Sequence, residues 1–306
     1  MPFKHHDVFT SAPSPEARLW RYMSLAKFLS LVHNSELFFS SLELLARSDP
    51  FEGTLPPSSF IHRQWASRHD APEDIQSRLL GFLRRGETSL DIAFKSFKEL
   101  RELRIRQAFA HRRSYFLSCW HMSEHESAAM WELYSKNAEG IAVVSSEQRI
   151  RSAFKESNPD IYGGQVSYAD FDTEKFVMQE HNSFIPVLHK RMSFEHEKEY
   201  RLVHWDTEVT HKFIEPKDGY YEWDGKRFPN ITGSMRTRVG RSEEEIEGIA
   251  PQLGHAIKCN LMELIEVVLV SPLSPPWFIE TVQLAARAAG VTAPIKESGL
   301  LAEPMR

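Results

Sequence analysis

The stretch FEHEKEYRLVHW, residues 194–205, turns from charged to apolar within one strand length, and its reading decides the fold. If 195–201 is extended, the two-residue period sets Glu195, Glu197, Glu199 and Arg201 on one face and His196, Lys198, Tyr200 and Leu202 on the other. Three carboxylates on one short face repel one another, so they need cations, solvent or a ligand. Two explanations are open: a solvated edge answered by basic residues on a neighbouring strand, or a carboxylate pair that orients ribose hydroxyls and stabilises a developing positive charge.

Working outward, further strand candidates are LWRYM (19–23), LFFSS (37–41), SYFLSCW (114–120), GIAVVSS (140–146), GQVSYAD (164–170), LIEVVLVSP (264–272) and VTAPIKES (291–298). Helical spacing runs through LAKFLSLVH after a capping Ser24, through TEKFVMQEHNSFIPVLHKRM (173–192), and through PPWFIETVQLAARAAG with Pro at its start and Gly at its stop. Residues 60–113 are rich in Arg, Lys, Glu and Leu and predict a helical insertion, whose Arg101, Arg104, Arg106, Arg112 and Arg113 face either solvent or an anionic ligand. Residues 1–15 form a polar, proline-bearing leader, and 207–256 a tract of loops with short helices. Without repeats or a low-complexity linker, residues 16–306 are expected to fold as a single α+β domain.

Composition narrows the class. The 42% hydrophobic and 26% charged content is that of a globular protein, and a net charge of -5 argues against a broadly basic nucleic-acid-binding body. Cys119 and Cys259 are the two cysteines, both in apolar surroundings, which points to a reducing compartment rather than a disulfide framework. No apolar run approaches a bilayer span or a signal peptide, so the expected location is the cytoplasm, with no membrane partner.

Two other constellations carry chemistry. In LWRYM, Arg21 precedes Tyr22 and a helix, a setting in which a guanidinium holds an anion and an aromatic stacks on a planar ring, or in which Trp20 and Tyr22 are core and Arg21 faces out. In LSCWHMSEHESAAMWELY, Ser118 lies on a strand, while Trp131 and Tyr134 share a helix face. His121 and His125 stand four apart but lack a third ligand, so no metal is expected. Serine-hydrolase, phosphate-loop and dinucleotide-fold fingerprints are missing.

Taken together, LWRYM through DPFEG, then FLSCWHMSEHESAAMWELYS with GIAVVSS, then EKEYRLV, and finally LIEVVLVSP with IKES resemble a bacterial family known as domain of unknown function 2971, over nearly the whole chain. More distantly, the order of an Arg-aromatic strand, a serine-bearing strand and a late Glu-x-Glu strand is similar to the ADP-ribosyltransferase superfamily. That resemblance implies a split mixed or antiparallel sheet with flanking helices. It implies NAD as substrate, Arg21 as the dinucleotide anchor, Ser118 as support for the ribose or for Arg21, Glu199 as catalytic carboxylate and Glu197 as acceptor-positioning residue. Tyr22, Phe39, Ser40, Trp131 and Tyr134 complete the implied cofactor-binding set. The usual Ser-Thr-Ser run is here Leu117, Ser118 and Cys119. The implied acceptor is a protein, a nucleic acid or water, and the implied role is that of a toxin or antiphage effector with a possible antitoxin or regulatory partner. The competing expectations are a nucleotide-binding sensor module without turnover and a metal-dependent nuclease.

Overall fold

A computed structural model describes residues 3–83, 89–134, 138–172, 182–216, 218–223, 225–230 and 236–301. Its strands are, in chain order, β1 (Phe3–Lys4), β2 (Arg18–Ser24), β3 (Glu36–Ser41), β4 (Tyr115–Met122), β5 (Gly140–Ser146), β6 (Ile161–Gln165), β7 (Ser167–Ala169) and β8 (His189–Arg191). They continue with β9 (Glu199–Trp205), β10 (His211–Ile214), β11 (Tyr220–Trp223), β12 (Lys226–Pro229), β13 (Thr237–Gly240), β14 (Gly254–Lys258), β15 (Val267–Val270) and β16 (Ile295–Glu297). The protein is α+β, built on a mixed sheet in the order β1-β6-β9-β4-β2-β5-β15-β16, to which β3 joins at β4 and β14 at β3. The β1–β6 and β15–β16 pairs are parallel, and the other pairs of this sheet are antiparallel.

The sheet forks at β4. On one side β4 pairs continuously with β9, from Tyr115↔Trp205 to His121↔Glu199. On the other it pairs with β2 only at Leu19↔Met122 and Trp20↔His121, and with β3 only at Ser40↔Leu117 and Ser41↔Phe116. Between these, Ser118 to Trp120 face a gap. The helix Leu25–Asn34, which buries Phe28, Leu31 and Val32, links the two diverging strands and ends on Ser35 in the left-handed conformation.

Alternation along the strands sorts the core. Leu19, Met23, Phe116, Trp120, Val143 and Leu202 lie on one face with Phe28 and with Phe278 of the helix Pro276–Ala288. Removing such a phenylalanine from water contributes about 1.5–3 kcal/mol. The opposite face carries Trp20, Tyr22 and Trp131 at one end and Tyr115, Leu117 and Val203 at the other. Within the expected insertion, the helices Glu73–Leu83 and Leu90–His111 pack Ile75, Leu79, Phe94 and Phe97 with Trp65 into a separate small core.

Several local expectations differ from the structure. The N-terminal stretch places Phe3–Lys4 on the sheet edge and buries Phe9 among Leu117, Phe184 and Val203, because its aromatic side chains find apolar partners that its prolines do not preclude. Of the helix expected over 173–192, residues 173–181 lie outside the described residues. The remainder is one turn, Ile185–Leu188, followed by β8, where extended backbone aims Lys190 at buried carboxylates. The tract 207–256 contains the antiparallel pairs β10–β13 and β11–β12 as well as β14, with Tyr221 stacked on Phe228 at 5.3 Å.

Gly254 marks the tightest approach on the β3 arm of the fork. A Cβ there would stand 2.3 Å from the Phe39 carbonyl oxygen, a backbone atom fixed by the ladder. Gly254→Ala is expected to cost about 1–3 kcal/mol by overpacking, whereas Gly240→Ala, which meets open space, should change little. Urea denaturation midpoints of the two variants check this.

Candidate functional site

Arg21 occupies the fork. Its Nη1 donates to Ser118 Oγ at 2.7 Å and to the Cys119 carbonyl at 3.0 Å, and its Nη2 donates to the Phe38 carbonyl at 3.1 Å. One side chain thereby ties β2, β4 and β3 where their ladders separate. Every acceptor is neutral, and among the described residues no carboxylate pairs with Arg21. Burial lowers its pKa, yet a guanidinium stays cationic. Lys27, exposed on the adjoining helix, has its pKa lowered by partial burial and then by the charge of Arg21, so two cations adjoin without an acidic partner among the described residues.

Ser118 is fully buried, and its Oγ also accepts from Trp120 Nε1 at 3.1 Å. With two donors already directed at that oxygen, Ser118 is placed to hold Arg21 rather than to meet a ligand itself. Tyr22 is buried, with its hydroxyl accepting from the Ser127 backbone N–H and its ring edge-on to Trp131 at 4.9 Å. Trp131 is buried as well, donating Nε1 to Glu126 at 3.1 Å. Tyr134, 44% exposed, lies over Tyr22 at 6.5 Å and presents the accessible ring. Phe39 is enclosed in the core beside Phe154, so strand alternation turns Phe38 and Ser40 outward in its place.

The carboxylates reach their site by a route other than a single strand face. Met192–Glu197 is a 3-10 turn, Lys198 has φ +41°, and β9 begins only at Glu199, so Glu195 is exposed and apart while Glu197 and Glu199 converge on Lys190. Lys190 Nζ lies 2.6 Å from Glu197 and 3.1 Å from Glu199, and 3.6 Å from Glu52. Arg201, with no exposed surface, sets Nε against Glu199 and Nη1 2.7 Å from Glu52. Asp49 of the same DPFEG loop holds Arg191 at 2.6 Å.

Three carboxylates against two cations leave this cluster one negative charge in excess, and the excess falls on Glu197. Burial, then the hydrogen bond and charge of Glu199, raise its carboxyl to about 7. Burial alone would raise Glu199 too, but Arg201 and Lys190 outweigh it and keep Glu199 ionised, well below the usual carboxylate range. Two adjacent carboxyls are thus driven apart, one poised to exchange a proton near neutral pH and one held as an anion.

The structure therefore joins Arg21 to Ser118 and Glu197 to Glu199, but strand alternation puts Ser118 and Glu199 on opposite faces of the sheet. Tyr134 connects the two pairs. Its hydroxyl is raised to about 12 chiefly by burial, then by the charges of Cys119, Glu197 and Glu199, while the charge of Arg21 lowers it. His121, opposite Glu199 in register, is buried and donates Nδ1–H to the Glu197 carbonyl at 2.7 Å, which fixes the bend ahead of β9. Cys119 stands opposite Arg201 in the ladder, and burial raises its thiol to about 12, so it is a packing residue and not a nucleophile. Lys27, Glu52 and Lys190 belong to the site without having been singled out from the sequence. For Glu52, the one available signal was the glycine after it: Gly53 has φ +68° and sits against Leu42, fixing a loop turned inward.

The cluster has a pH signature. An unfolded Glu197 titrates near 4.5 and the folded one at about 7, so between these values the native state binds the extra proton. Its contribution to stability is present at low pH and lost as pH rises through that window. Histidines whose pKa is lowered by burial, such as the half-buried His111 and the buried His121, act in the opposite sense in the same range. The expected result is consequently a difference: unfolding free energies of Glu197→Gln minus wild type should rise from pH 5 to pH 8, measured by denaturant titration at each pH. Parallel curves would contradict the assignment.

Residues 130–202 match the model of a family described as Protein of unknown function (DUF2971), a segment running from the aromatic helix through Glu197, Glu199 and Arg201 but covering well under half of the chain. No curated protein and no solved structure matches the chain.

Proposed function

We propose that the chain is an NAD-consuming, ADP-ribosyltransferase-like enzyme that breaks the nicotinamide N-glycosidic bond and passes ADP-ribose to a macromolecule or to water. The observation that carries this is opposite electrostatics within reach of Tyr134: Arg21 and Lys27, without acidic partners among the described residues, and a carboxyl pair with separated pKa values. A pyrophosphate suits the first and a ribose suits the second. The fork at β4, bridged by an Arg held by a buried Ser, agrees with the split sheet that the superfamily resemblance implies.

In this mechanism Arg21 binds the pyrophosphate and Tyr134 stacks against the base. As the C1′–N bond lengthens, its electron pair leaves with nicotinamide and positive charge develops at C1′. An ionised Glu199 stabilises that charge more strongly in the transition state than in the ground state. The acceptor O–H or N–H attacks C1′, and Glu197, near its midpoint at neutral pH, takes the released proton. The near-complete enclosure of Glu199 by Arg201 and Lys190 supports a second reading, a nucleotide-binding module without turnover.

Nicotinamide release and label transfer from NAD, assayed with varied lysates, separate the two. Turnover is expected, with Arg21→Ala raising KM and Glu199→Gln lowering kcat by about 100-fold or more. NAD that raises the melting temperature without being consumed would favour the binding module, and no binding and no turnover by the wild type would remove both.

A further inference from the structure

A cavity of about 180 Å³ lies between the insertion helix Leu90–His111 and the turn Ile185–Leu188, remote in composition from the Arg21 fork. Its walls divide by chemistry. Leu55, Val187 and the ring of Tyr115 supply an apolar side, the Tyr115 hydroxyl being already used in donating to the Ser183 carbonyl at 3.0 Å. Arg104, Gln107 and His111, one helical turn apart in succession, supply a polar side.

Arg104 is half-buried and, among the described residues, has neither an ion-pair nor a hydrogen-bond partner. The contrast with its neighbours is informative: Arg106 pairs with Glu243, Arg113 with Glu43, and Arg112 donates to the Pro50 carbonyl. Burial, and then the nearby His211, push His111 down to about 4, so at neutral pH it offers a neutral imidazole and Arg104 is the charge in the wall. A partly desolvated guanidinium without a carboxylate is an anion site in waiting. The volume is of the order that holds a single six-membered ring, since a cavity of about 150 Å³ accommodates benzene.

We infer that this cavity binds a small organic anion, a carboxylate or phosphate carried on one apolar ring, with the anion on Arg104 and the ring against Tyr115 and Val187. Its lining shares no residue with the site proposed for NAD, and the inference stands whether or not that chemistry holds. It also adjoins the buried charge cluster. Val187 lines the cavity while its carbonyl accepts from Arg201, and Gly53 lines it next to Glu52.

The test is calorimetric titration and thermal shift of the full chain at fixed ionic strength with benzoate, phenyl phosphate, benzyl alcohol and inorganic phosphate. Benzoate or phenyl phosphate should bind and raise the melting temperature, with the stronger of the two showing whether carboxylate or phosphate is preferred. Benzyl alcohol and inorganic phosphate should bind at least about tenfold more weakly, as should the winning ligand to Arg104→Gln, which removes the charge from a residue with no partner among the described residues. Ala108→Phe, which fills the cavity, should abolish binding while NAD turnover or binding is measured in parallel. Benzyl alcohol binding as well as benzoate, inorganic phosphate binding as well as phenyl phosphate, unchanged affinity in Arg104→Gln, or no binding by any probe would each overturn the assignment.

Discussion

A guanidinium with no exposed surface projects from an interior strand of the sheet, and the segments around it are arranged to tolerate it. Arg201 projects from β9 between Glu199 of its own strand, Glu52 of the DPFEG loop and the carbonyl of Val187. Desolvating such a charge costs several kcal/mol even after relaxation, and the cost is offset only when anions and carbonyls close around it. That requirement turns the DPFEG loop inward, brings the Ile185–Leu188 turn against the sheet and sets Lys190 among the same carboxylates. Remove Arg201 and Glu52 is left buried with Lys190 alone, at 3.6 Å.

The same bookkeeping of charge prepares the site. A closed cluster of two cations and three carboxylates has one proton too few or one charge too many, and the resolution is a carboxyl that titrates near neutrality next to one that does not. At Arg21 and Lys27 the imbalance is reversed, with no acidic partner for either among the described residues. Fully paired charges would describe a structural network. Here the two imbalances remain, one at Arg21 and Lys27 and one at Glu197.

Arg21 shows how a structural constraint selects one residue type. The sheet must fork because β2 and β3 leave β4 in different directions, and the gap exposes backbone carbonyls of Cys119 and Phe38 that need donors. A planar guanidinium with five N–H groups satisfies both and still presents its charge. A lysine would supply the charge but not the fork geometry.

The strands β2, β3, β4, β5 and β15 and the helices that flank β2 and precede β16 were legible in the sequence, because period-two and period-3.6 patterns report which face of an element is apolar. The alternation in β9 was legible from Glu199 onward for the same reason. What the sequence by itself determined is therefore an α+β sheet protein in which Arg21, Ser118, Glu197 and Glu199 sit on or beside strands. Which of them meet was decided only by tertiary structure. A 3-10 turn and a left-handed Lys198 redirected Glu197, and Trp20 and Trp131 went to the core while Tyr134 stayed at the surface. Lys190 and Glu52, 138 positions apart, found Arg201 together. Periodicity records burial one element at a time. A buried charge is neutralised by whatever the chain brings within a few ångströms, and no local pattern encodes that partner.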